Sequence, residues 1–362
     1  MSYRCQAAVL HHPGQSLRLQ EIELADPRPG EVLVRTMAAG ICGTDLHFAT
    51  GTVPYPLPTV LGHEASGIVE AIGENVTGIA PGDRVIVCDQ TFCGHCPACL
   101  SGAMVYCTDT TGKQRQRHRL TLDGAPFRQY LGVSAFAELM LLDARALIPL
   151  PDDVSFGAGA LLSCCITTGL AAVFNVSRPE PGSRVAVIGT GGVGLSAVQA
   201  ARIAGAAQII AADLEDHRLA LASELGATDT VRAGAGDDLA EKITELSGGG
   251  VDRSIEAVGL PHTASTAFRA LAPQGHATIV GMMPPGADVP VPGRLLRHGR
   301  TLAGTVMGSV RTLADIPRYT ALLHNQQLRA EPLVTSVLPL AQIDEALQRA
   351  QARHGARTLV SF

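Results

Sequence analysis

The chain has 362 residues, 39 glycines and a net charge of −5, and 46% of its residues are hydrophobic. This length exceeds what one hydrophobic core usually organises, so we expect two domains. The negative charge, the absence of tryptophan and an aromatic content of only 4% argue against a nucleic-acid partner, which requires a basic field and stacking side chains.

A cytoplasmic protein without a membrane partner is expected. No apolar run approaches the length of a membrane-spanning helix, and the first residues lack the pattern of a signal peptide. The chain contains nine cysteines. In a reducing compartment, clustered cysteines indicate metal binding rather than disulfides.

The first third of the chain is predicted to be rich in β-strands, separated by turns that contain proline and glycine. The expected strands are Ala7–Leu10, Leu17–Ile22, Val32–Val34, Gly67–Ile72, Arg84–Val87 and several within 135–149. This organisation differs from the alternation of strands and helices that follows later in the chain.

Two short segments bring together side chains that can bind a metal. GICGTDLH, from Gly40 to His47, holds a thiol, a hydroxyl, a carboxylate and an imidazole, and LGHE contributes His63 and Glu64. Taken singly, Cys42 is more often a small buried hydrophobic residue. Cys164, in SCCITTG, is a candidate third ligand, although spacing alone does not select it. Two thiolates and one imidazole would leave one zinc position open for a substrate.

Four further cysteines follow one another in the pattern C-x2-C-x2-C-x7-C: Cys93, Cys96, Cys99 and Cys107. Four thiolates can close a tetrahedron around zinc, which anchors a lobe (about residues 90–110) with little core of its own. An iron–sulfur cluster or free thiols are the alternatives, but nothing else in the sequence suggests electron transfer. His95 is expected to be only a lobe residue.

Residues 112–129 are polar and basic. The basic side chains are Lys113, Arg115, Arg117, His118, Arg119 and Arg128. A solvated loop is the favoured interpretation, and a rim that attracts anions to the active site is the alternative. Pro151–Leu162 further along is interpreted as the approach to a hinge.

A glycine turn organises the second part of the chain. The apolar strand Val185–Ile188 runs directly into Gly189-x-Gly191-x-x-Gly194, and helical spacing follows. Strand, turn and helix in this order give the motif its weight. Gly189 permits the tight turn, Gly191 lets a pyrophosphate approach the backbone, and Gly194 lets the helix pack on the strand. The candidate cofactor-binding residues here are Gly189, Gly191, Gly192, Val193 and Gly194.

A second strand, Gln208–Ala212, ends at Asp213. Asp213 lies about 20 residues after Gly194, where a carboxylate accepts both adenosine ribose hydroxyls. It would repel a 2′-phosphate, so we expect NAD rather than NADP. An ordinary glycine-containing turn with a capping aspartate is the alternative.

Strands and helices alternate from residue 185 to 304, which is typical of a doubly wound parallel sheet. Further strands are expected near 230 and at 251–256, 277–281 and 301–304, and helices at 193–204, 217–225, 239–246 and 263–271. The dinucleotide-binding domain is predicted to cover residues 166–306. The later helices (312–328 and 342–352) and strands (333–338 and 357–361) lie outside that sheet. Residues 307–362 are therefore expected to rejoin residues 1–165.

These segments together resemble the zinc-containing medium-chain alcohol dehydrogenases, and the resemblance covers essentially the whole chain. The segments that carry it are GICGTDLH, LGHE, CGHCPAC with Cys107, CCITTG, VIGTGGVGL, AADLEDHRLALASELGA, GVDRSIEAVG, TIVGM and ARTLVSF. The implied fold is α/β: a GroES-like β-rich catalytic domain, formed by both chain ends, around a Rossmann dinucleotide-binding domain.

The resemblance implies two zinc ions per chain, one in the four-cysteine lobe and one catalytic. The catalytic zinc would bind Cys42, His63 and Cys164. Cys165 stands where the family usually has a glycine. Asp45 would bond the ring of His63 and fix its tautomer, and Glu64 would lie behind the metal and assist ligand exchange.

The resemblance also implies a proton relay and cofactor contacts. Thr44 would bind the substrate hydroxyl, and His47 would end the relay that leads from Thr44 through the nicotinamide ribose to solvent. The implied cofactor contacts are Asp213 and Arg218 at the adenosine ribose, Val280 and Met282 beside the nicotinamide, and Arg357 at the pyrophosphate. The segment 108–132 is similar to an insertion in dimeric members, which implies a homodimer, with a tetramer as the alternative.

The sequence departs from the family at one position of the substrate pocket. Counting without gaps to Cys93 places Asp89 where many relatives have an aromatic residue; Tyr130, Leu131 and Met282 would form other walls. We hypothesise that Asp89 makes the pocket unusually polar. The alternative is that its side chain turns away and binds loop backbone.

The implied reaction is the reversible oxidation of a primary or secondary alcohol to an aldehyde or ketone, with zinc as Lewis acid and NAD(H) as hydride carrier. A thiol-adduct formaldehyde dehydrogenase is the runner-up, because the basic segment Arg115–Arg119 could hold an anionic thiol carrier. A non-catalytic zinc-lobed binding protein is a third candidate. The complete set of Cys42, Thr44, His47 and His63 and the negative net charge disfavour it.

Overall fold

The computed structural model describes residues 2–109, 119–234, 236–353 and 355–362. The chain divides into two compact units. The first unit comprises Met1–Cys164, Arg311–His324 and Val334–Phe362, and the second comprises Cys165–Val310 and Asn325–Leu333.

The strands of the described residues are β1 (Ser2–Leu10), β2 (Arg18–Ala25), β3 (Glu31–Gly40), β4 (Thr59–Val60), β5 (Glu64–Ile72), β6 (Arg84–Val87), β7 (Leu120–Leu122), β8 (Ala125–Phe127), β9 (Leu139–Asp143), β10 (Leu147–Pro149), β11 (Arg184–Ile188), β12 (Gln208–Asp213), β13 (Asp229–Arg232), β14 (Val251–Glu256), β15 (Leu271–Ile279), β16 (Thr301–Gly304), β17 (Val334–Pro339) and β18 (Arg357–Ser361).

The α-helices are α1 (Gly43–Ala49), α2 (Pro97–Leu100), α3 (Phe156–Ser163), α4 (Cys165–Ala171), α5 (Gly192–Ile203), α6 (Asp216–Leu225), α7 (Leu239–Leu246), α8 (Pro261–Arg269), α9 (Gly293–Leu296), α10 (Thr312–His324) and α11 (Ile343–Gln351). A π-helical turn, Ala172–Ser177, continues α4. No single described helix is long and apolar enough to span a membrane; only Phe156–Ser163 and Cys165–Ser177, taken as a bent pair, reach the required length and composition.

Two β-sheets form the first unit. One has the order β4-β1-β2-β7-β8, and the other has the order β10-β6-β5-β3-β18-β17, with β9 also paired to β3. The C-terminal strand β18 runs antiparallel to β3, with Val360 opposite Ala39. Residues from both chain ends therefore share one sheet, as a GroES-like catalytic domain requires.

The pairing of β3 with β5 positions the candidate metal ligands. Gly40, the last residue of β3, lies opposite Glu64, the first residue of β5. Because the two strands are antiparallel, the residues that follow β3 and those that precede β5 lie at the same end of the sheet. This register brings Cys42 close to His63.

The second unit contains one parallel sheet with the order β13-β12-β11-β14-β15-β16. Numbered within the unit, this is the order 3-2-1-4-5-6 of a doubly wound dinucleotide-binding fold. The predicted fold class is confirmed. The order reverses between β11 and β14, and ligands of such sheets bind beyond the carboxyl ends of the strands at that point.

The structure differs from the sequence prediction in two segments. Residues predicted as the approach to a hinge form α3, whose residues 158–163 are all buried. Residues 325–333, predicted to follow the first domain, belong to the second unit. Gln199 on α5 holds them there: its side-chain amide donates to the carbonyl oxygen of Arg329, at 3.0 Å, and accepts the Arg329 N–H, at 2.8 Å.

Candidate active site

Four side chains of the first unit form a buried cluster that can bind a metal. Their ligand atoms all lie within 4.8 Å of one another, and they belong to Cys42, His63, Glu64 and Cys164. The three predicted zinc ligands are thus brought together, although far apart in the chain. Of the two neighbouring thiols, Cys164 lies in this cluster, whereas Cys165 is fully buried and belongs to the second unit.

Helix α1 places Asp45 beneath two of these ligands. One carboxylate oxygen accepts the backbone N–H of Cys42, at 2.9 Å, as part of a capping box that starts the helix. The other oxygen lies 2.9 Å from Nδ1 of His63. Asp45 is fully buried. It therefore holds the Cys42 backbone and orients the imidazole so that Nε2 remains for a metal.

A glycine makes room for Glu64 behind the cluster. A Cβ atom at Gly40 would overlap the Glu64 carboxylate. Both Glu64 oxygens are buried and have no hydrogen bond among the described residues; the Arg357 guanidinium lies 3.5 Å from one of them. Arg357 also donates to the carbonyl oxygen of Ile41, at 3.0 Å. A buried carboxylate so weakly satisfied suits the neighbourhood of a cation.

The pKa values of the four cluster residues are shifted in different directions. A hydrogen bond with Cys164 is the largest cause that lowers the pKa of Cys42 well below its usual range, and the same bond, with burial, raises the pKa of Cys164. Burial acts to lower the pKa of His63, but the adjacent Asp45 carboxylate outweighs it and raises this pKa. Burial raises the pKa of Glu64 to about 8. A metal ion that binds these groups would displace protons.

The two predicted relay residues lie on the same face of α1. Thr44 and His47 are three positions apart and half-buried. The Thr44 hydroxyl oxygen is 3.7 Å from Cys42 Sγ, so this hydroxyl borders the metal cluster. A ligand oxygen on the metal would therefore lie within reach of the Thr44 hydroxyl.

Tyr130 and Asp89 border the same cluster. The Tyr130 ring meets the His63 ring edge-to-face, with centroids 6.2 Å apart. Burial and the charges of Asp45, Cys42 and Asp89 raise the pKa of Tyr130. The charge of Asp89 also acts on Cys164. Whether the Asp89 side chain faces the substrate stays a prediction.

The four-cysteine lobe has the geometry of a tetrahedral metal site. Sγ of Cys93 lies 3.9 Å from Sγ of Cys99, and Sγ of Cys96 lies 3.8 Å from Sγ of Cys107. Four sulfurs about 2.3 Å from one zinc ion would be about 3.8 Å apart. Backbone N–H groups of His95 and Cys96 point at Cys93 Sγ. The donor set therefore fits a closed zinc site.

The glycine turn of the second unit matches its predicted roles. Gly189 has φ +88°, which glycine adopts without strain, and a Cβ at Gly194 would overlap the carbonyl oxygen of Gly189. At Gly191 the space is open: the nearest atom to a Cβ would be Nη1 of Arg218, at 3.9 Å. The turn thus offers the N-terminus of α5, with a cation beside it, to a phosphate.

Asp213 is engaged by the chain itself. One carboxylate oxygen accepts the N–H and the hydroxyl of Thr190, at 2.6 and 3.0 Å. The other accepts the N–H groups of Leu214 and Glu215, at 2.8 and 3.2 Å. The contact with Thr190 was not predicted; the hydroxyl between the first two glycines of the motif was its only signal. A ribose hydroxyl would have to replace one of these donors.

The remaining predicted residues occupy varied positions. Val280 and Met282 follow β15 at the carboxyl end of the parallel sheet, where Val280 N–H donates to the carbonyl oxygen of Glu256. Leu131 borders Tyr130 with φ 50°.

Arg119 is buried and paired with Glu31, at 2.8 Å, so it is not part of an anion-attracting rim. Of the basic segment, residues 110–118 lie outside the described residues.

Family models match both units. The model described as an alcohol dehydrogenase GroES-like domain matches residues 28–152, and the model described as a zinc-binding dehydrogenase matches residues 192–325.

Solved structures resemble the whole chain. An alcohol dehydrogenase zinc-binding domain protein from Burkholderia ambifaria is 35% identical, with a TM-score of 0.95 and 100% of each chain covered. Benzyl alcohol dehydrogenase from Acinetobacter calcoaceticus is 32% identical, with a TM-score of 0.93 and 99% of each chain covered. A protein described as a zinc-binding dehydrogenase from Sinorhizobium meliloti 1021, bound to NADP, is 28% identical, with a TM-score of 0.83; 99% of this chain and 100% of that chain are covered.

Proposed function

The chain belongs to the zinc-containing medium-chain alcohol dehydrogenase family and is an oxidoreductase, and on this premise we propose its reaction. It oxidises a primary or secondary alcohol to an aldehyde or ketone, reversibly, with NAD as the hydride acceptor. The observation that carries the proposal is the cluster of Cys42, His63 and Cys164 with Asp45 behind it. Three ligands leave a fourth position of a tetrahedral zinc for the substrate oxygen.

The residues around the metal cluster and on α1 have separate roles in this reaction. Zinc supplies Lewis acidity toward the alcohol oxygen, and the nicotinamide carries the hydride. The Thr44 hydroxyl accepts the alcohol proton, because it borders the cluster at 3.7 Å from Cys42 Sγ. Thr44 releases its own proton into a relay through the nicotinamide ribose, and His47, on the same face of α1, ends that relay at solvent. Asp45 keeps the proton of His63 on Nδ1, so that Nε2 binds metal.

The choice of NAD over NADP rests on Asp213. Its carboxylate ends β12 and is fixed by Thr190, and a negative charge there repels a 2′-phosphate. Arg218, close to Gly191, is the opposing influence, since an arginine can accommodate that phosphate. Initial rates with equal concentrations of the two nucleotides test this choice. A higher kcat/KM with NADP would overturn it.

The proposal is tested by an alcohol panel, primary, secondary and aryl, followed through nicotinamide absorbance. Cys42→Ala should abolish turnover while NADH still binds, because only the metal cluster is damaged. Cys164→Ala should behave in the same way, whereas Cys165→Ala, at the neighbouring buried thiol, should retain turnover and zinc. Turnover by the Cys42 variant in metal-free buffer would refute the proposal.

A thiol-adduct formaldehyde dehydrogenase is distinguished in the same assay. Such an enzyme requires glutathione or mycothiol together with formaldehyde, whereas the proposed enzyme oxidises free alcohols. The burial of Arg119 removes one of the cations that this alternative would use. Formaldehyde oxidation only upon thiol addition would replace the proposal.

We also propose a cytoplasmic location and a homodimeric assembly, the assembly from the family resemblance of segment 108–132. Sedimentation of the purified chain tests the assembly. A monomer would contradict it, and a tetramer would favour the other assembly known in the family.

A further inference from the structure

Tyr130 carries a buried hydroxyl that the chain leaves without a hydrogen bond. The residue is 0% exposed, and its hydroxyl oxygen has no partner among the described residues. A buried donor without an acceptor is costly, so native proteins rarely keep one unless water, an ion or a ligand supplies the partner. The Tyr130 ring lies beside that of His63, a candidate metal ligand, with the ring centroids 6.2 Å apart.

Neighbouring side chains and the backbone fix the position of the Tyr130 ring. Phe48 and Tyr55 meet it edge-to-face, with centroids 5.1 and 5.3 Å away. Its backbone N–H donates to the Ser134 hydroxyl, at 2.9 Å. The preceding Gln129 donates from its side chain to two carbonyl oxygens of the first unit. The orphan hydroxyl is therefore a fixed feature of the site.

Tyr55 provides the contrast within the same aromatic cluster. Its hydroxyl donates to the carbonyl oxygen of Gln129, at 2.9 Å. Tyr130 differs from it only in lacking such an acceptor among the described residues. The Tyr55 hydroxyl thus serves the fold, whereas the Tyr130 hydroxyl is left for a ligand.

Asp89 supplies an acceptor in the same neighbourhood. One of its carboxylate oxygens is buried, and its charge acts on both the Tyr130 hydroxyl and the Cys164 thiol. A buried donor together with a carboxylate whose charge reaches it matches a group that both accepts and donates. A hydroxyl is such a group, whereas a hydrocarbon chain or an unsubstituted aryl ring is not.

We propose that Tyr130 determines specificity by donating a hydrogen bond to a second oxygen of the substrate, next to the reacting carbon, and that the preferred substrates are vicinal diols. The proposal rests on the alcohol dehydrogenase function and deepens it. The second hydroxyl accepts from Tyr130 and donates to Asp89, while the reacting hydroxyl faces the metal and Thr44. The dehydrogenation itself is unchanged: one carbinol loses a hydride to the nicotinamide and a proton to Thr44, which releases its own hydroxyl proton into the relay that ends at His47 and solvent.

Three alcohols distinguish the contribution of the Tyr130 hydrogen bond from that of the Asp89 hydrogen bond. 1,2-Propanediol can use both Tyr130 and Asp89, 2-methoxyethanol can only accept from Tyr130, and 1-butanol, similar in shape to 2-methoxyethanol, can use neither. A site built to bond a substrate oxygen discriminates strongly against the analogue that lacks it. The wild type should therefore show kcat/KM values that decrease in the order diol, ether, butanol.

Tyr130→Phe is the test, with Tyr55→Phe as the matched control. The Tyr130 variant should lose about tenfold in kcat/KM for the diol and for the ether, mainly through KM, and lose much less for 1-butanol. The Tyr55 variant should keep the wild-type order. Asp89→Leu should weaken use of the diol and spare the ether.

The outcomes distinguish this inference from the function beneath it. If the wild type oxidises no alcohol with either nucleotide, the proposed function fails. If it oxidises alcohols but prefers 1-butanol, or if Tyr130→Phe lowers all three kcat/KM values equally or leaves their ratios unchanged, the inference alone fails.

Discussion

Replacing Asp45 by asparagine should selectively weaken the catalytic zinc site. The carboxylate serves two buried donors, the backbone N–H of Cys42 and Nδ1–H of His63. An amide of the same shape has one acceptor oxygen and one NH2 group. One of the two donors must then face the NH2 group, and the charge that stabilises the imidazole is lost.

The size of the effect follows from these contacts. A hydrogen bond to a charged group contributes about 1.5–3 kcal/mol, and a buried donor left unpaired costs a similar amount. Since His63 is proposed to bind metal through its other nitrogen, this loss would be transmitted to zinc affinity, as about a 10- to 100-fold increase in Kd. The lobe of Cys93 to Cys107 lies on separate residues and should be unaffected.

Chelator competition measures this difference within one molecule. The holoprotein is titrated with a zinc chelator, and the free zinc at which each ion leaves is recorded. In the Asp45→Asn variant one ion should leave at about 10- to 100-fold higher free zinc than in the wild type, and the other should be unchanged. Equal retention of both ions would refute the role given to Asp45, and loss of both together would indicate general unfolding.

Three further predictions follow from the described contacts. Gly194→Ala should lower the free energy of unfolding by about 1–3 kcal/mol in thermal unfolding, because the new methyl overlaps the Gly189 carbonyl. Gly191→Ala, in open space, should change the free energy of unfolding by less than about 0.5 kcal/mol but lose nucleotide affinity in a fluorescence titration. The reverse pattern would contradict both roles. Asp89→Phe should raise kcat/KM for aryl or long aliphatic alcohols relative to short polar ones, and an unchanged order of preference would remove Asp89 from the pocket. Burial raises the pKa of Cys5 from 9.0 to about 12, so above pH 9 the folded chain keeps this thiol neutral while the unfolded chain ionises it. The free energy of unfolding should therefore fall as pH rises from 9 towards 12, and fall more steeply than in Cys5→Ala. Alkylation of native Cys5 at pH 9 would argue against its burial.

The features that the sequence predicted well are local. The glycine turn lies between one strand and one helix, and Asp213 ends the next strand, so their spacing within this local unit indicates a dinucleotide site. The cysteines of the lobe are also close in the chain. Cys164 is different: only the family resemblance assigned it, because no spacing rule relates it to Cys42 and His63.

The features that the sequence did not predict depend on tertiary context. Helix α3 was missed because it is buried on every side and contains two glycines, so it has no polar face to give a helical period. The fit of Glu64 against Gly40 depends on the register of β3 and β5. The orphan hydroxyl of Tyr130 becomes visible only when every neighbouring acceptor is known.

The saturated carboxylate of Asp213 has a consequence for how long a nucleotide stays bound. If a ribose hydroxyl replaces the Thr190 hydroxyl, one hydrogen bond is exchanged for another and the net gain in binding free energy is small. A phosphate at the same place still meets an uncompensated negative charge. Asp213 would therefore discriminate between nucleotides while adding little to residence time. Discrimination without tight binding suits an enzyme that must release its reduced dinucleotide after every turnover.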